Sequence, residues 1–237
     1  MSPTTFKEAK KLFDATKKAA DKRKNLQTII APPSLYIREL SKGYRGRVAF
    51  AVQNAFYELA GARTGEISFV QAKDAHVTYA LVGHAERRAL GETNEDTKLK
   101  VAAAVAAGIV PILCVGEEKR LASGEHFTFI REQLRSGFSG VPSFNSKKVM
   151  VAYEPVWAIG STKPMTPRDM HEMSIFIRKT LVEFFGAGAM EVKTLYGGAI
   201  DVATAPVMVE QGDVHGLLVG RAGSEVEKVT ALFAALV

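Results

Sequence analysis

The chain predicts an α/β fold, a parallel sheet of seven strands curling into a barrel with helices between the strands. Three observations carry this. Short β-rich runs alternate with longer helical patterns from end to end, which is the signature of repeated βα units. No Pro/Gly/Ser-rich linker or low-complexity stretch interrupts the 237 residues, so residues 1–237 read as a single domain. A hydrophobic content of 47% is enough for one large core, and parallel barrels commonly run to this length.

The first element is a helix. Over residues 7–24, Glu8, Asp14 and Asp21 and several lysines are interleaved with Ala9, Leu12, Phe13, Thr16 and Ala20, the spacing of an amphipathic helix with a wet outer face. Strands follow at residues 28–31, 48–53, 79–82, 110–115, 149–153, 193–196 and 217–219. Among the helices between and after them, four are set by their patterns to residues 93–107, 127–137, 167–185 and 224–237. Thr93 stands three residues before Asp96 at capping-box spacing, Thr166-Pro167 places an N-cap before a proline in the first turn, and Gly108 and Gly186 stop their helices.

Composition narrows the function. The net charge of +6 is spread along the chain. No aromatic residues alternate with the lysines of the first helix, so a solvated helix face is preferred there over a nucleic-acid surface. No apolar run approaches the ~18 residues of a membrane span, and residues 1–11 show neither a signal core nor a cleavage site. A soluble, unprocessed, cytoplasmic protein is expected. The single cysteine, Cys114, forms no internal disulfide and suits a reducing compartment. Neither cofactor nor metal is called for.

Glu154 closes the apolar run at 149–153 and leads into Pro155-Val156-Trp157-Ala158-Ile159-Gly160. A carboxylate is thus placed where a strand gives way to a loop, the edge at which parallel barrels keep their chemistry. His84 likewise follows a strand, in Val82-Gly83-His84-Ala85-Glu86-Arg87-Arg88. Taken alone, such a histidine is more often structural than catalytic. These two stretches, with Tyr196-Gly197-Gly198-Ala199, resemble the triosephosphate isomerase family, and the resemblance extends from Thr5 to Val237.

The resemblance implies a TIM (β/α)8-type barrel that interconverts dihydroxyacetone phosphate and glyceraldehyde 3-phosphate through an enediolate. It implies that Glu154 is the base and His84 the neutral electrophile. Residues 155–166 resemble the family's closing lid, with Pro155-Val156-Trp157 as first hinge. Its tip departs from the common Ile-Gly-Thr-Gly-Lys pattern, reading Ile159-Gly160-Ser161-Thr162-Lys163-Pro164. Gly160 is expected to offer its N–H to the substrate phosphate, with Lys163 supporting the lid. Gly198, Ala199, Gly220 and Arg221 are the other phosphate-binding candidates. Ala199 and Arg221 stand where the family has serine and glycine. Ala85 also replaces a serine, which predicts a less firmly held Glu154.

Gln53-Asn54 and residues 61–68 resemble the loop that enters a neighbouring subunit, implying a homodimer in which Thr64 completes the partner's site. Cys114, inside a buried strand, reads as structural rather than nucleophilic.

The family opens with a strand ending in Gly-Asn-Trp-Lys, and this sequence starts at Met1-Ser2-Pro3-Thr4-Thr5-Phe6, beyond that point. The fold is therefore expected to be an eight-strand barrel with strand 1 missing. Activity is expected to be severely reduced, the dimer weakened, and Glu86, partner of the family's lysine, left desolvated and unpaired. The gap is expected to be partly closed, covered by a partner, or met by a rearranged terminus. Two other readings stay open: a non-catalytic relative that binds a phosphorylated ligand or a protein partner, and a start site lying upstream.

Overall fold

The computed structural model describes residues 3–121, 123–159 and 164–236. In chain order its strands are β1 (Ile29–Ile30), β2 (Ala49–Val52), β3 (Tyr79–Val82), β4 (Val110–Val115), β5 (Met150–Tyr153), β6 (Lys193–Tyr196) and β7 (Gly216–Leu217). Its α-helices are α1 (Phe6–Lys22), α2 (Ser34–Ser41), α3 (Phe69–Asp74), α4 (Ala85–Ala89), α5 (Asn94–Ala106), α6 (Glu125–Ser139), α7 (Pro167–Phe185), α8 (Thr204–Gln211) and α9 (Val226–Ala235). The strands pair in sequence order, every pair parallel.

Period-2 alternation sorts the strand side chains into two cores. Ile112, Cys114, Met150, Ala152 and Leu195 face the barrel interior with Ile29, Tyr79 and Leu81. Leu113, Val115, Val151 and Tyr153 point outward into the layer beneath the helices. The helices start where their caps predict. Thr93 and Asp96 form a reciprocal capping box on α5, Thr166 accepts from the Asp169 N–H at the start of α7, and Gly186 ends α7 at φ 84°.

β3, β4 and β6 coincide with their predicted spans. The two strands that end the sheet are shorter, two residues each, because β1 pairs only with β2 and β7 only with β6 among the described residues. A strand with one neighbour has half the ladder hydrogen bonds to hold its ends. The outer layer nevertheless meets across this opening. Arg23, just past α1, donates from Nε to the Phe233 carbonyl and from Nη2 to the Ala234 carbonyl, both at 2.9 Å. These are carbonyls of the last turn of α9, where a cation is favoured by the helix dipole. Of the expected ways to manage the gap, partial closure describes the structure, by helices rather than by the sheet.

Candidate active site

The site lies at the C-terminal ends of β3, β4 and β5. Gly83 turns the chain after β3 at φ +74°, and a Cβ there would come within 2.9 Å of Arg88 Nη2 and Thr97 Cγ2. That turn delivers His84 as the N-cap of α4. The His84 Nδ1 accepts from the backbone N–H of Glu86 at 3.3 Å, so Nδ1 carries a lone pair and the neutral ring keeps its proton on Nε2. Nε2 stands 3.2 Å from Glu154 Oε1.

Glu154 follows β5 and is 2% exposed. Burial raises its carboxyl above the usual carboxylate range, while His84, the Ala85 N–H, Cys114 and Arg88 oppose the shift. The Ala85 N–H donates to Glu154 Oε2 at 3.0 Å. The serine hydroxyl is gone, but the first turn of α4 supplies a backbone donor that no side-chain substitution removes. Cys114 lies wholly buried beneath the carboxylate, and burial together with Glu154 pushes its thiol well up. It remains protonated, a weak donor to Glu154 rather than a nucleophile.

A second buried carboxylate, Glu117, organises the turn that follows β5. Its oxygens accept from Tyr153 Oη at 2.8 and 3.0 Å and from Trp157 Nε1 at 2.8 Å, and its carbonyl accepts from the Val156 N–H at 3.1 Å. Trp157 sits in a 3₁₀ turn, Val156–Ala158. The sequence holds a signal for Glu117. It follows β4 at the same barrel edge at which Glu154 follows β5.

Gly116 sits between these carboxylates. A Cβ built there would lie 1.8 Å from the Glu154 carbonyl oxygen, closer than any non-bonded contact allows. Gly116→Ala is therefore expected to destabilise the fold by about 3 kcal/mol or more and to displace Glu154. Urea unfolding measures the first effect, and a loss of no more than a few tenths of a kcal/mol would show that β4 and β5 shift freely.

Glu86 corrects an expectation outright. Its side chain is exposed on α4, so the desolvation expected of it is absent, and what it contributes to the site is its backbone N–H. The buried acid is Glu92, 3% exposed, which receives Lys100 Nζ at 2.5 Å and the Gly83 N–H at 2.8 Å. Lys100 also reaches Asn54 Oδ1 at 2.8 Å. This group buttresses the His84 turn, and sequence reading passed over it because its members come from three separate elements.

The phosphate candidates cluster less tightly. Gly198 and Ala199 lie in the half-buried turn after β6, while Gly220 and Arg221 are exposed at the start of a 3₁₀ turn, Arg221–Ser224, after β7. Gly160 and Lys163, with Ser161 and Thr162, lie outside the described residues. Thr64 is exposed in the loop after β2, where Arg63 pairs with Glu58 and lies over the Phe56 ring at 5.4 Å. Among the described residues, His84 is the one basic side chain within ion-pair distance of Glu154.

The family model for triosephosphate isomerase matches residues 1–236. This chain belongs to the triosephosphate isomerase family. Proteins named triosephosphate isomerase from Endomicrobium trichonymphae and Coprinopsis cinerea are each 36% identical to it, over 96% and 97% of this chain and 92% of each relative. One from Aquifex aeolicus is 35% identical over 94% of this chain and 91% of its own length. No helix among the described residues is long and apolar enough to cross a membrane.

Proposed function

We propose that residues 1–237 act as one domain that interconverts dihydroxyacetone phosphate and glyceraldehyde 3-phosphate. The observation that carries this is the buried Glu154 carboxylate facing His84 Nε2 at 3.2 Å. A desolvated carboxylate whose affinity for protons is raised is suited to take a carbon-bound proton near neutral pH. A neutral imidazole donor matches an enediolate oxygen, and the family divides these two roles in this way. In the proposed cycle Glu154 removes a proton from one carbon and returns it to the adjacent carbon, while His84 stabilises the oxygens between which charge moves. The N–H groups of Gly198, Ala199, Gly220 and Arg221 hold the phosphate, assisted by Gly160, and the lid beginning at Pro155 shuts out water. No metal or organic cofactor takes part.

The test is hydrogen exchange at carbon. Dihydroxyacetone phosphate incubated with the protein in deuterium oxide is expected to acquire carbon-bound deuterium as glyceraldehyde 3-phosphate forms. Binding of the substrate without exchange would favour the non-catalytic relative instead.

The cellular setting of this reaction is the cytoplasm, which fractionation reads directly. Assembly follows from uncovered surface. Leu59 and Ile67 at the two ends of the Thr64 loop, and Val70 beyond it, leave large apolar side chains exposed, as expected where a second copy docks. A homodimer is proposed, weakened because the Thr64 loop has fewer docking contacts across the interface. Sedimentation across a concentration series should show dissociation on dilution, and a purely monomeric species at high concentration would remove the proposal.

A further inference from the structure

A cleft of about 410 Å³ lies away from His84 and Glu154, between the β4–α6 loop, the first turn of α6 and α7. It is lined by Arg120, Leu121, Gly124, His126, Phe127 and Glu172. His126 is 7% exposed, and among the described residues neither of its ring nitrogens has a hydrogen-bond partner; Arg120 Nη1 is likewise buried and without a partner among them. Buried polar groups are almost always satisfied, so three orphans from two residues at one cleft call for an explanation. Packing accounts for part of it. The His126 ring lies 4.1 Å from that of Phe127, which lies 4.7 Å from Phe176. That contact explains where the ring sits, not why its nitrogens are bare.

The backbone adds donors of the same kind. Gly124 is the N-cap of α6, in the left-handed region at φ 79°, and has no side chain to cap the helix. The first N–H groups of such a helix point at whatever stands before it, and the dipole makes that place attractive to an anion. The charges nearby are partly committed. Arg120 Nη2 donates to Glu172 Oε2 at 3.1 Å, and Glu125 Oε1 accepts from Ser123 Oγ at 3.2 Å. What remains is a guanidinium N–H, an imidazole and a helix N-terminus, all lining one cleft.

We propose that this cleft is a binding site for a small oxyanion, a carboxylate or phosphate group held by Arg120, His126 and the first N–H groups of α6, with its apolar remainder against Leu121 and Phe127. An oxyanion offers several lone pairs within a small radius and pairs with guanidinium through charge-assisted bonds. A lone water has only two protons to give and two lone pairs to receive these donors. The site is separate from the one proposed for triose phosphate, and it stands or falls independently of that reading.

Titration followed by NMR of nitrogen-15-labelled histidine side chains tests it, because His84 and His126 report the two sites separately. The His126→Gln variant assigns the resonance. Inorganic phosphate and malonate serve as probes. Either one should shift His126 saturably, and the one that does so identifies the group bound. In Arg120→Gln the affinity at His126 should fall about 10-fold or more, while any His84 response to phosphate stays unchanged. If Arg120→Gln lacks native near-ultraviolet circular dichroism, Arg120→Lys replaces it. Lysine keeps the charge without the fork, and a severalfold weakening is then expected. A His126 signal unmoved by both anions while His84 responds to phosphate, or an equal response with and without the Arg120 guanidinium, overturns the proposal.

Discussion

A protein carrying a strand that ends in Gly-Asn-Trp-Lys ahead of Ser2 is expected to isomerise triose phosphates at least ~10³-fold faster than residues 1–237 alone. Two separable effects contribute. Among the described residues β1 and β7 each have a free edge, so an added parallel strand gains ladder bonds on both sides and covers inward residues such as Ile29, at roughly 1.5 to 3 kcal/mol for each large apolar side chain newly buried. The lysine places a fixed cation against developing negative charge, where among the described residues His84 is the one basic side chain within ion-pair distance of Glu154. The same strand with methionine in place of lysine should raise the melting temperature as much but recover little of the rate. Equal rates for the lysine and methionine versions would show that the cation is not the missing ingredient. Family-like turnover by the unmodified chain would mean that another cation substitutes. Arg221, exposed beside Gly220, is then the first residue to replace.

Glu154→Gln has opposite effects on rate and stability. Isomerisation is expected to fall by about 10² to 10⁴, because the amide cannot accept a carbon-bound proton. Stability at neutral pH is expected to rise. The sign follows from linkage. Burial lifts the folded-state carboxyl above its model value of 4.5, so the folded protein binds this proton more tightly than the unfolded chain does. The group's favourable contribution is fully present below the unfolded value and is lost as pH climbs through the folded value. Above that, the buried charge works against folding. The variant should therefore be more stable than the parent at pH 8, with the difference shrinking as pH falls from the raised folded value to the ordinary carboxylate range. The acid limb of the parent's pH–rate profile should lie above that range for the same reason. A variant less stable than the parent at every pH would show that the hydrogen bonds from Ala85 and His84 outweigh the burial of the charge.

Much of the molecule was legible from residue order alone, because its signals are local. β3, β4 and β6 were bounded correctly since alternation and flanking turns are properties of neighbours in sequence. The same holds for α5 and α7, whose caps lie within three residues of the groups they satisfy. His84 and Glu154 could be named because the motifs that hold them resemble the triosephosphate isomerase family, and both stand close after strands, whose ends the topology of a parallel barrel brings to one rim. Other matters depended on distance in space. That the Ala85 N–H holds Glu154, that Glu86 turns to solvent while Glu92 takes the buried lysine, and that Glu117 gathers Tyr153 and Trp157 all involve partners from different elements. The same is true of Arg23 fastening the end of α9 some 210 residues away and of Arg120 and His126 meeting at one cleft. Sequence determined which groups this protein can present and on which strand ends they stand. Tertiary structure decided which of them are dry and which are paired, because desolvation and hydrogen bonding are set by neighbours that chain order does not place together.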